Sequence, residues 1–154
     1  MEEKRLLSMM EGFKQKAFDI FLENGNISPV AFLVSKKYIG IMPLAFRDDS
    51  EKEMSQLALQ SAAEKVNAEA VIMVNEAWVA FLKKGQSIPD MPIRDMAEKK
   101  ECIIVSASTK DETITMLTIL ERTPNGVNLG ETEVMHNTED SFTGFMRERL
   151  SGNA

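Results

Sequence analysis

Between residues 2 and 24, apolar side chains recur at steps of three and four. Leu6, Met10, Phe13, Ala17 and Ile20 or Phe21 therefore share one face of a helix. Asn24 and Gly25 follow, and either accepts the left-handed conformation that closes a helix. Phe18, Phe21 and Leu22 widen the stripe beyond what one sheet face needs, which points to part of it packing against another subunit.

The pattern then changes period. Residues 30–35 and 39–46 are β-branched and aromatic runs separated by Lys36, Lys37 and Tyr38, a spacing suited to a hairpin. Pro43 lacks the N–H that a central strand must donate, so the second strand is expected to have an edge or a bulge there. Ser50 and Glu53 stand in the spacing of a capping box. They predict a second helix from Glu51, with Met54, Leu57, Ala58, Ser61, Ala62 and Val66 keeping the period up to Asn67. Residues 70–79 are apolar on both parities and read as a strand buried on both sides.

Residues 83–99 carry Pro89, Asp90, Pro92, Arg94 and Asp95 without a sustained period, so a long loop is expected, with a short helical turn near Arg94. Residues 102–108, 113–121 and 127–134 read as three further strands in an antiparallel meander. Thr123-Pro124-Asn125-Gly126 is the clearest turn, since proline presets the first central position and glycine takes the positive φ that follows. Asn137 or Thr138 can cap a last helix in which Phe142, Phe145 or Met146, and Leu150 share a face.

The expected layout is one α+β domain over residues 1–154. Its order is α-β-β-α-β-β-β-β-α, with three helices on a single mixed, mostly antiparallel sheet of six strands. The second strand, second helix and third strand form a crossover that makes those two strands parallel. That crossover gathers Arg47, Asp48, the end of the third strand and the long loop at one pole. Lys36, Lys37, Lys110 and His136 fall at the other.

Composition narrows the function. The 44% hydrophobic and 27% charged fractions are those of an ordinary folded protein. A formal charge of −6 disfavours nucleic acid as a partner. The single cysteine suits a reducing compartment, Met1-Glu2-Glu3-Lys4-Arg5 lacks the pattern of a signal peptide, and no apolar run is long enough to span a bilayer as a helix. A cytoplasmic location without membrane association is expected.

Familiar catalytic signatures are missing from the sequence. It holds no phosphate-cradling glycine loop of either common type and no nucleophile elbow. With one histidine and one cysteine, a zinc site of the His/Cys type would have to bridge subunits. His136 is expected to be solvated or to sit at the entry of the last helix, remote from Glu76 and the long loop. Cys102, beside Ile103 and Ile104, is expected to be a small buried hydrophobe rather than a nucleophile. No cofactor, metal ligand or catalytic residue is assigned.

The distinctive stretch is Glu76-Ala77-Trp78, where period two sets a carboxylate beside the only tryptophan at the exit of a buried strand. A carboxylate held against an indole can anchor a ligand or act as an acid or base. In the plainer alternative, Trp78 closes the core while Glu76 pairs with Arg47, Arg94 or Arg122. Asp90, Arg94 and Asp95, with Asp48, Asp49 and Glu121, would supply a hard-metal site if the loop folds back over that pole. The candidate ligand-binding residues are thus Glu76, Trp78, Asp90, Arg94, Asp95 and Arg47.

Glu76-Ala77-Trp78, the loop with Pro92 and Arg94, and Glu101-Cys102-Ile103-Ile104-Val105 together resemble a group of small bacterial and phage proteins. These share a strand ending Glu-Ala-Trp, a proline-containing loop and a strand introduced by glutamate; the resemblance covers residues 70–122 and implies no activity. The element order also looks like that of the MPN-type metallopeptidase domain, whose paired zinc histidines this sequence lacks. The expected function is a non-enzymatic binding protein acting as a homo-oligomer, with a protein or small-molecule partner. The competing expectation is a carboxylate-dependent or metal-assisted hydrolase with its site at the end of the third strand and the 83–99 loop.

Overall fold

The computed structural model describes residues 1–81, 85, 87 and 90–136, with the side chain of Arg94 excepted. Its elements are α1 (Glu3–Asn24), β1 (Val30–Val34), β2 (Ile39–Pro43), α2 (Asp49–Lys65) and β3 (Ala70–Ala80). A 3-10 turn at Ile93–Asp95 precedes β4 (Lys99–Ser108), β5 (Thr113–Thr123) and β6 (Gly126–His136). The strands form one sheet in the order β2-β1-β3-β4-β5-β6, and every neighbouring pair is antiparallel.

The α+β class stands, but the expected layout of three helices on a mixed sheet is corrected. The described residues hold two α-helices and a purely antiparallel set of neighbours. The last helix expected after Asn137 lies outside the described residues. The crossover does join two strands of the same direction, yet β1 lies between β2 and β3, so they share no ladder. A strand that returns by a tight hairpin and also pairs with the next strand along satisfies its backbone groups on both sides.

Strand alternation divides the core into two layers. Val34, Ile72, Val74, Ile103, Val105 and Met116 face α1, which lies across β3 and β4 and buries Leu6, Met10, Ala17 and Phe21 against them. Ala31, Leu33, Val71 and Met73 face the other way and meet Leu59 and Ala63 of α2. Here the expected face of α2 is corrected, because Met54 and Leu57 are 66% and 55% exposed. The sequence carries two stripes at helical spacing, and the one with Leu59, Ala63 and the half-buried Val66 is the one that meets the sheet.

Local chemistry sets the boundaries. Gly25, at φ 80°, closes α1 and donates its N–H to the Phe21 carbonyl at 2.7 Å. α2 starts two residues earlier than Glu51, because Asp48 rather than Ser50 is the cap; its Oδ1 accepts the Glu51 N–H at 2.8 Å. β2 ends at Pro43 on the sheet edge, as a missing donor demands. Between Thr118 and Leu120 the β5–β6 register slips, so that Gly130 and Glu131 oppose one residue. A Cβ on Gly130 would come within 3.1 Å of the Ile119 carbonyl oxygen, which explains glycine there.

Candidate functional site

Glu76 and Trp78 lie on the α1 side of the sheet at the exit of β3, in step with Val74 and Ile72. The Glu76 carboxylate is half-buried, and its Oε1 accepts the backbone N–H of Ile27 at 2.5 Å. It thus ties the segment after α1 to the sheet and, among the described side chains, pairs with neither Arg47 nor Arg122. Trp78 is 43% exposed and does not close the core; the Lys99 ammonium stands 5.1 Å from its ring centre.

The neighbouring arginine is Arg122. Its Nε donates to both carboxylate oxygens of Glu101 at 3.0 Å, its Nη2 donates to the Gly25 carbonyl at 3.3 Å, and its guanidinium lies 5.3 Å from the Phe21 ring centre. Glu101 chiefly, with a further contribution from Glu76, holds the guanidinium protonated beyond its ordinary range. Arg47 is occupied elsewhere, binding Glu51 through Nε at 2.9 Å and Nη2 at 2.7 Å.

Asp90 and Asp95 are exposed, and their carboxylates make no hydrogen bond or ion pair among the described residues. Arg94 belongs to the 3-10 turn, while its neighbour Met96 is 5% exposed and anchors the end of the loop. Of the six candidate residues, the structure therefore brings Glu76 and Trp78 to one strand end and gives Arg47 a separate partner. The carboxylates suggested for a hard metal do not converge among the described residues. The three metal-capable side chains that do are Glu3, Glu112 and His136, with ligand atoms within 4.8 Å of one another at the opposite pole. His136 Nδ1 lies 3.6 Å from Glu3 Oε1, an exposed pair far from Glu76 along the strands.

Cys102 is fully buried, donates its thiol to the Ala77 carbonyl at 3.4 Å, and has its pKa pushed up to about 11, first by burial and then by the Glu101 charge. It is a packed thiol, as its apolar neighbours suggested.

A concave site that the sequence did not reveal opens beside Glu76. α1 covers β3 and β4 but leaves β1 partly bare, and a pocket of about 280 Å³ lies between them. Its walls are Phe13, Ala17 and Ile20 of α1, Val30 and Phe32 of β1, and Val74 of β3. The Phe13 and Phe32 rings stack at 3.9 Å and 11°. Ile27, whose N–H Glu76 holds, lines it too, and the exposed Lys16 and Ser28 stand at its rim. Phe13 could be read as helix-face core, but no local signal pairs it with Phe32.

Among the described residues the architecture is a three-layered α+β arrangement: a six-stranded antiparallel sheet carries one helix on each face and an apolar pocket under the first helix. The chain belongs to the family of bacteriophage lambda protein ea47, whose model matches residues 2–148. This bears out the resemblance to small phage proteins. No curated protein and no solved structure matches the chain.

Proposed function

We propose that the protein is a non-catalytic binding protein that works as a homo-oligomer, using the apolar surface left open between α1 and the β2 edge. One observation carries this reading. Phe32 of the pocket wall is paired directly with Ile41 on β2, and Val34 with Ile39, so one apolar face runs from the pocket to the sheet edge. Ile39 and Ile41 are 48% and 69% exposed there, on a strand whose outer backbone groups have no neighbouring strand among the described residues. Open apolar edges pair with other chains, and a second copy always carries the matching edge.

The enzyme reading has less support. Glu76 and Arg47 already hold structural partners, and Asp90 and Asp95 do not gather around them among the described residues. The MPN-like element order adds nothing, since a single histidine cannot supply that family's zinc motif.

Light scattering at micromolar concentration tests the proposal. The expected mass is a multiple of the 17.3 kDa chain, reduced to one chain by Ile41→Glu with the circular dichroism spectrum unchanged. A wild-type protein that is monomeric throughout overturns it.

A further inference from the structure

We infer that the pocket beneath α1 binds a small amphiphile with one apolar body and one anionic head, of the single-chain carboxylate class. This rests on the binding-protein reading and names the ligand it would take. The interior is supplied by Phe13, Ala17, Phe32 and Val74, with no charged group among them, so the enclosed part of a ligand must be apolar. At about 280 Å³ the space equals roughly nine water volumes, enough for one short chain or ring and too small for a two-chain lipid.

The rim decides the head group. The Lys16 ammonium and the Ser28 hydroxyl both border the pocket, both are exposed, and neither has a hydrogen-bond or ion-pair partner among the described residues. Asp19, three residues along α1, makes no ion pair with Lys16. Glu76 is the nearby carboxylate on the sheet side, and its Oε1 is engaged by the Ile27 N–H while Arg122 lies within its field. A free ammonium and a free hydroxyl beside an apolar hole suit a carboxylate, which accepts from both. A cationic head would meet Lys16 unfavourably, and a neutral one would leave the ammonium unused.

Titration calorimetry of the full chain with decanoate, decanol and decyltrimethylammonium separates the two layers of the argument. Decanoate is expected to bind best, about threefold to fivefold tighter than decanol, the size of a solvent-exposed ion pair, with the difference shrinking at high salt. Lys16→Gln is expected to erase that preference while leaving decanol binding intact, and Lys16→Glu to reverse it in favour of the cation. Lys16 is a surface residue, so both variants should fold. Equal binding of decanoate and decanol, or an undiminished preference in Lys16→Gln, overturns the anionic class but keeps the apolar pocket. Absence of binding by all three probes overturns the pocket itself, whereas the light-scattering result stands apart from either.

Discussion

Replacing Glu76 by alanine removes the acceptor of the Ile27 N–H and leaves that amide half-buried without a partner. Hydrogen bonds to a charged group contribute about 1.5–3 kcal/mol, and the partial burial places this one near 2 kcal/mol. In a domain of this size each kcal/mol moves the midpoint by about 2–4 °C, so Glu76→Ala should lower Tm by about 4–8 °C. Glu76→Gln retains a carbonyl acceptor and loses only the charge, and should give about half that drop. Differential scanning calorimetry at neutral pH on the three proteins measures both, and urea titration checks that the slope is unchanged. A midpoint within 1 °C of wild type for Glu76→Ala, taken as roughly the scatter below 0.5 kcal/mol, would refute the latch; the carboxylate would then be free for other chemistry.

Two further outcomes follow from the packing. Leu59→Ala, at a fully buried position against Leu33 and Val71, should cost about 3 kcal/mol, whereas Met54→Ala at the outer stripe of α2 should cost under about 0.5 kcal/mol; urea unfolding that reverses this order means the helix face is misassigned. Cys102 should react with a thiol reagent at pH 8.5 far more slowly than in the unfolded chain. Because the native thiol is raised from 9.0 to about 11, the folded protein holds that proton more tightly, and the stability linked to it declines as pH climbs from 9 towards 11. Labelling as fast as that of the denatured chain would contradict both.

Much of the element list was legible. β1 and β3 begin where β-branched runs begin, and Gly126 takes a φ of 135° after Pro124-Asn125, as the turn chemistry required. Pro43 correctly pointed to an edge, because a missing donor is a local fact. What could not be read was partner choice. Nothing near β1 says that it lies between β2 and β3, and α2 carries two apolar stripes that only the opposing sheet distinguishes. The same holds for the site. Glu76 and Trp78 were singled out by period two, but the partner of Glu76 is a backbone N–H, which no side-chain pattern announces. Lys14 is a further case, buried amid apolar residues because Glu11 at 2.9 Å and Thr132 at 3.3 Å receive its ammonium.

The slip at Gly130 gives the sheet two unlike margins. β6 bears Glu131 and Glu133 along with the bulge, features that discourage another strand from docking, whereas β2 has neither. On the proposed pairing through β2, the joined sheets would present only β6 margins outward. Growth would then terminate at a closed pair related by a two-fold axis, rather than continuing head to tail into a filament. A charged, kinked margin on one side would thus limit stoichiometry as much as the sticky margin on the other permits it.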